Sequence, residues 1–358
     1  MRLTGTPLLV LASVAAVMGP VALVLWLRRR PVHGVEGRNG WGRTVGRFGL
    51  VVGCQLLAAI VLFLWVNVQY GFYTSWSDLL GRTNTNEASI DGNALVPKGD
   101  GRAQVVTVNG GPHGGGRHQV LVWLPHQYDE RADAHTRFPV VMVLPGQPST
   151  VDAMYTHYQF GTVATSEIDS GRVKPFIAVF PPLMTDPPRD TECTNVSGGP
   201  QAETWLDRTV PTAIDGDFRV TPRPWSMIGW STGGFCSAKL LLHDPSHFTA
   251  AASLGGYFSP ILDHTTGDLF HGRRTAEQQN SPLWLYRHGG LHDRRLLVVT
   301  GRQDNESYAP SETFIDASRG DPAVANLIFP TGGHNYHNYQ VLLSGVLQWL
   351  QRVRALTG

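Results

Sequence analysis

Residues 225–235 read WSMIGWSTGGF, and no other stretch constrains the fold of this chain as tightly. An apolar run ends at Gly229, Ser231 stands alone, and two glycines open a segment in which Phe235, Ala238 and Leu242 fall on one face at helical spacing. Asp244-Pro245 stops that segment, because the residue before a proline avoids the α region. The pattern is a strand, a sharp turn and a helix built around G-x-S-x-G. Such a turn holds its serine in strained backbone geometry, and glycines at the flanking positions let strand and helix approach closely enough to leave the hydroxyl exposed. The spacing predicts a serine nucleophile at Ser231. With 40 glycines in the chain, the pattern gains its weight from the residues that follow it.

A nucleophilic serine needs a base to take its proton and a carboxylate to orient that base; in one common arrangement the chain order is Ser, acid, His. The base is expected at His334, in IFPTGGHNYHNY, on a loop between a short apolar strand and a helix with Leu342, Val346, Trp349, Leu350 and Val353 on one face. His337 and His292 read as ordinary surface or capping histidines. A metal site from His334 and His337 has no H-E-x-x-H pattern or cysteine cluster behind it, so no metal and no cofactor is expected. The acid is expected at Asp304, in RLLVVTGRQDNES, where Gly301 turns the chain after a buried strand; Glu306 is the second choice and Glu312 the third. Asp293 precedes that strand and belongs at the opposite edge of the sheet. Acyl transfer also needs donors for the oxyanion. These are expected to be the backbone N–H groups of Thr232, directly after the nucleophile, and of Gln147, in the Pro145-Gly146-Gln147 loop that follows FPVVMVL.

Apolar strands are expected near residues 105, 120, 138, 176, 225, 250, 296 and 326. The glycine-rich run 110–116 lacks the GK[ST] of a phosphate-binding loop and reads as a hairpin turn between the first two. Later strands are separated by stretches long enough for helices, which predicts a mostly parallel eight-stranded sheet flanked by helices on both faces. A formal net charge of +1 gives no basic stripe for nucleic acid.

The N-terminal region bears on location. Residues 8–27 and 48–68 are apolar runs long enough, at about 1.5 Å per residue, to cross a hydrocarbon core of roughly 30 Å. The first ends in Arg28-Arg29-Arg30 with no small-residue cleavage site, which reads as a membrane helix and not a cleaved signal. Trp26, Trp65, Tyr70, Phe72, Tyr73 and Trp76 lie where interfacial aromatics belong. Between the runs stand Arg28, Arg29, Arg30, Arg38, Arg43 and Arg47 against the single acid Glu36, so the connecting loop is expected in the cytoplasm and everything beyond about Phe72 outside the plasma membrane. The organisation expected is an anchor of two transmembrane helices over 1–76, a polar linker over 77–103 and a catalytic domain over 104–358.

At four places the chain resembles the putative-esterase branch of the α/β-hydrolases, which includes mycobacterial mycolyltransferases, esterase D (S-formylglutathione hydrolase) and feruloyl esterases. Glu203-Thr204-Trp205-Leu206 is similar to the run that opens the helix before the nucleophile strand. Gly229-Trp230-Ser231-Thr232-Gly233 is the nucleophile turn. His243-Asp244-Pro245 with Phe248, and Gly333-His334-Asn335-Tyr336 with Tyr339, are similar to the patterns after the nucleophile helix and around the catalytic histidine. The resemblance implies an α/β-hydrolase fold, a Ser-His-Asp serine esterase or acyltransferase, and a lipid or acyl-ester substrate. The chain departs from the mycolyltransferases in offering Asp304 where they use glutamate, and in lacking the polar groups they carry after the third strand, which speaks against trehalose as acceptor. In this fold the loop carrying Cys193 passes over the strand ends near the active site, and Cys236 lies on the nucleophile helix. A Cys193–Cys236 disulfide is the preferred reading, favoured by an oxidising compartment; two unpaired buried thiols is the other. An inactive hydrolase-fold binding or scaffold module remains the alternative function, against which the full Ser-Asp-His set weighs.

Overall fold

The computed structural model describes residues 6–28, 40–70, 101–111, 116–244, 246–330 and 333–356. The chain divides into two compact units, Met1–Thr83 and Asn84–Gly358. The first contains helices α1 (Thr6–Arg28) and α2 (Gly40–Tyr70), which pack on one another. Among the described residues one helical stretch, Val51–Val68 of α2, is long and apolar enough to cross a membrane; the apolar stretch of α1, Pro7–Val21, is shorter. Of the two spanning helices expected from the sequence, one meets the requirement. The side chains of Val10, Leu11, Val14 and Val17 on α1 and of Val51, Leu56, Ile60 and Leu62 on α2 are exposed. Most of the arginine-rich connection and the polar linker up to residue 100 lie outside the described residues, as does the tip of the glycine-rich hairpin, 112–115.

The second unit carries one eight-stranded sheet: β1 (Arg102–Asn109), β2 (Arg117–Leu124), β3 (Val140–Leu144), β4 (Ile177–Phe180), β5 (Trp225–Trp230), β6 (Phe248–Leu254), β7 (Arg295–Gly301) and β8 (Val324–Phe329). Each falls where an apolar run was expected. β1 starts slightly earlier than expected, because Arg102 pairs with Leu124 at the base of the hairpin. The order across the sheet is β1-β2-β4-β3-β5-β6-β7-β8, with β1, β2 and β4 joined antiparallel and every later pairing parallel.

Strands β3, β4 and β5 are buried at every position and, Ser226 apart, carry no polar side chain, because both faces are covered. Met142, Leu144, Val179, Met227 and Val298 point into one core with Trp205, Leu206 and Phe235, whereas Val141, Val143, Ala178, Ile228 and Val299 point into the other with Phe160, Tyr339, Leu347 and Leu350. This is the period of two in strand side chains, and each fully buried aliphatic contributes about 2 kcal/mol relative to exposure. Parallel connection brings the C-terminal ends of β3, β5, β6, β7 and β8 to one edge, where the loops carrying Gln147, Ser231, Gly255, Asp304 and His334 begin.

Candidate active site

β5 ends at Trp230 and a helix runs from Thr232 to His243, leaving Ser231 alone between them. Its φ is 55° and its ψ −120°, a conformation that L-residues adopt only under strain. The turn is held from both sides. The Ser231 N–H donates to Leu254 O at the end of β6 (2.9 Å), and its carbonyl accepts the first helical bond from Phe235 N (3.0 Å). The two glycines have separate duties. A methyl group at Gly229 would lie 1.9 Å from Gly233 O, and one at Gly233 would lie 2.2 Å from Leu144 O and 2.5 Å from Pro145 O. Strand, helix and β3 loop meet at a spacing that only hydrogen fits. Gly233→Ala is expected to lower stability by about 3 kcal/mol through overpacking against backbone that cannot yield, to be read as a shift in the urea midpoint with an unchanged slope.

Three side chains remote in sequence come together above this turn. The His334 Nε2 atom is 2.9 Å from Ser231 Oγ, and His334 Nδ1 is 2.8 Å from Asp304 Oδ2. Asp304 is fully buried and its carboxylate accepts four hydrogen bonds. Oδ1 takes the N–H groups of Glu306 (3.1 Å) and Ser307 (3.0 Å), and Oδ2 takes His334 Nδ1–H and the Tyr339 hydroxyl. Burial alone would raise the Asp304 carboxyl; the bond from His334, the imidazole charge, Tyr339 and the Ser307 N–H together outweigh it and hold the group down to about 2. An ionised acceptor at Nδ1 fixes the proton on that nitrogen and leaves Nε2 free to accept from Ser231 Oγ–H. Glu306, the other candidate acid, lies on the opposite side of the ring, with Oε2 3.6 Å from Nε2 and a side chain that is 68% exposed. Of the two carboxylates, only that of Asp304 faces Nδ1.

The imidazole is also packed in place. Trp230 stacks on His334 with ring centroids 5.0 Å apart, Tyr336 packs against Trp230 with centroids 4.1 Å apart, and the Tyr336 hydroxyl bonds with Ser149 in the β3 loop. Gly255, at φ 60°, has no room for a side chain against the Tyr339 ring and His334 Cε1. Tyr336 and Tyr339 were visible in the sequence as aromatics following His334, but nothing in their spacing said which would reach the acid.

The expected oxyanion donors stand beside Ser231. A methyl at Gly146 would fall 2.9 Å from Ser231 Cβ and 2.7 Å from the Trp230 ring, so the Gly146-Gln147 backbone passes directly against the turn. Among the described residues neither Gln147 N–H nor Thr232 N–H has a hydrogen-bond partner in the protein. Unpaired donors of this kind are what a developing oxyanion requires.

Cys193 and Cys236 form a disulfide, with Cα atoms 5.9 Å apart, that ties the loop after β4 to the nucleophile helix; the free cysteine is Cys54 in α2. Sequence reasoning passed over the ionisable residues around this bond. Lys239 is completely buried on the nucleophile helix; its ammonium donates to Cys193 O (2.8 Å) and Thr194 Oγ1 (3.0 Å) and pairs with Glu203 Oε2 at 3.1 Å. Burial would raise Glu203, but the Lys239 charge and the His243 hydrogen bond bring it to about 2. Next to the disulfide, burial pushes Glu192 up to about 8, and its Oε1 accepts from Tyr257 Oη at 2.7 Å, which lies 3.4 Å from Thr232 Oγ1. A lysine inside the apolar run FCSAKLLL was the available signal for this cluster. Among the described residues, one group of side chains could hold a metal ion, Asp207, Asp244 and His247; it lies at the other end of the nucleophile helix from Ser231.

A family model described as putative esterase matches residues 113–350. The chain belongs to the putative-esterase family. Solved structures of similar fold include an S-formylglutathione hydrolase from Agrobacterium tumefaciens (TM-score 0.60, 17% identity, 72% of this chain and 96% of that one). A Staphylococcus aureus fluorophosphonate-binding serine hydrolase aligns with TM-score 0.58 and 18% identity over 70% of this chain and 98% of that one. Among curated sequences, an uncharacterised protein of Corynebacterium glutamicum is 20% identical over 231 residues, 60% of this chain. The match spans about half of that relative, 53% of its length. Family membership makes this chain a putative esterase, and its eight-stranded, mostly parallel sheet is that of the α/β-hydrolase fold.

Proposed function

We propose that this putative esterase is a membrane-anchored serine esterase or acyltransferase that works outside the cytoplasm on ester-linked acyl groups. One observation carries the reading: an unbroken hydrogen-bonded relay from Asp304 through His334 to Ser231, with two unpaired N–H groups beside the nucleophile. Ser231 Oγ attacks the ester carbonyl while His334 Nε2 takes its proton. The negative oxygen is received by the N–H groups of Gln147 and Thr232. His334 then returns the proton to the departing alcohol, leaving an acyl group on Ser231. Water or another hydroxyl resolves the acyl-enzyme by the same steps in reverse. The substrate is a small-molecule ester, of the lipid or acyl-ester kind that membership of the esterase family favours.

The anchor is supported by the apolar window Val51–Val68, the exposed apolar side chains of α1 and α2, and the excess of arginine between them. The Cys193–Cys236 disulfide accords with an oxidising compartment.

Fluorophosphonate labelling tests the chemistry: the folded protein should be labelled and Ser231→Ala should not. Unlabelled, folded wild-type protein would reject the enzyme reading. For topology, in a Cys54→Ser background, a cysteine at Gly40 should be protected from impermeant maleimide added to intact cells and one at Ile90 should react. The reverse pattern would put the catalytic unit inside the cell.

A further inference from the structure

Glu306 is left without a part once Asp304 occupies the Nδ1 side of His334. Its backbone N–H is bound to Asp304 Oδ1 at 3.1 Å, so the loop that fixes the acid also fixes the place where Glu306 enters the site. Its side chain passes to the other edge of the ring. There Oε2 lies 3.6 Å from Nε2, too far for a hydrogen bond with it, and no donor among the described residues is bonded to this carboxylate. Nε2 is the atom that Ser231 Oγ addresses at 2.9 Å. Once Ser231 is acylated, that same nitrogen must receive the proton of whatever attacks next. An open carboxylate therefore borders the position of the second nucleophile.

We propose that Glu306 selects the acyl acceptor, favouring one with two hydrogen-bond donors, water or a vicinal diol of the glycerol or sugar type, over a simple alcohol. The inference rests on the acyl-enzyme reading above. In the deacylating step the acceptor hydroxyl gives its proton to His334 Nε2 as its oxygen bonds to the acyl carbon. The bond from that carbon to Ser231 Oγ breaks, and Oγ takes the proton back from Nε2. Glu306 gains no proton. Its oxygen accepts the remaining hydrogen of water, or the neighbouring hydroxyl of a diol. Hydrogen bonds of about 2.8 Å let a single oxygen, or two adjacent ones, bridge acceptors 3.6 Å apart. A monohydric alcohol has one proton for two acceptors and leaves the carboxylate facing its alkyl group, the situation in which discrimination by a polar site is strongest.

The test is partitioning of the acyl-enzyme formed from a p-nitrophenyl ester between matched concentrations of 1,2-propanediol and 1-propanol, which differ by one hydroxyl. Wild type should prefer the diol by about fivefold, a modest value for so exposed a group. Glu306→Leu should bring the preference to about unity, and Glu306→Gln, whose amide oxygen still accepts, should retain part of it. The p-nitrophenol burst reports acylation separately and should be present in all three proteins, while the diol-to-alcohol ratio is set after acylation and is read independently of its rate. An unchanged preference in Glu306→Leu, or a burst lost only in that variant, would overturn the acceptor role while leaving the serine chemistry standing. Absence of any burst in wild type would overturn the acyl-enzyme reading itself, and this inference with it.

Discussion

Ser231→Ala is expected to lower kcat by on the order of 10⁶, the scale on which removal of a serine nucleophile acts when the base and acid remain. The residual turnover should come from the Gln147 and Thr232 donors, which stay in place because the turn is held by backbone. The Ser231 N–H to Leu254 O bond and the close contacts at Gly229 and Gly233 do not involve the hydroxyl. The variant should accordingly fold, with an unfolding midpoint at or slightly above that of wild type, since no other residue at this turn has to change. Steady-state ester hydrolysis together with thermal unfolding checks both halves. Activity within tenfold of wild type would mean that another group attacks the ester.

Asp304→Asn should reduce kcat by about 10⁴ with the site geometry intact. The amide is isosteric, but its NH₂ cannot accept from His334 Nδ1–H, and the ring is driven toward the tautomer whose Nε2 carries the proton and cannot take one from Ser231. The substitution also removes the charge that stabilises the imidazolium. Tyr339 and the Glu306 and Ser307 N–H groups all donate to this carboxylate, so at least one of them loses its acceptor as well. Because the folded value is depressed to about 2, the stability that ionised Asp304 contributes is present above the ordinary carboxylate range and fades as pH falls through that range toward the folded value. The wild-type activity lost on mild acidification should thus not follow protonation of Asp304. A pH–rate profile measured beside the Asn variant checks this; a loss smaller than about tenfold in the variant would mean that Asp304 does not orient the imidazole during turnover.

Much of the sheet was legible in the chain. Strands buried on both faces must be largely apolar, so FPVVMVL, WSMIGW and RLLVVTG announce themselves without any partner being known. The order across the sheet was not legible: β4 inserts between β2 and β3, and pairing between runs of similar composition is decided by helix packing and chain crossover. At the site, Ser231 was visible because its flanking glycines are required locally. His334 and Asp304 were visible as the right residue types after strand ends. The pairing of Lys239 with Glu203 and of Glu192 with Tyr257 was not legible, since a buried charge is recognisable only when its partner is known, and these partners lie on separate elements.

The sequence by itself determined what short-range sterics determine: a turn tight enough to isolate a serine, strands too apolar to face water, and two N-terminal apolar stretches. It left Asp304 and Glu306 as rivals, two residues apart on one loop. Tertiary structure brings Asp304, and not Glu306, to Nδ1, because the edge of the imidazole each carboxylate meets depends on the ring's orientation. That orientation is set by Trp230 at the end of β5 and by the position of Tyr339 over the acid. Both contacts exist only after the parallel sheet has carried β5, β7 and β8 to a common edge.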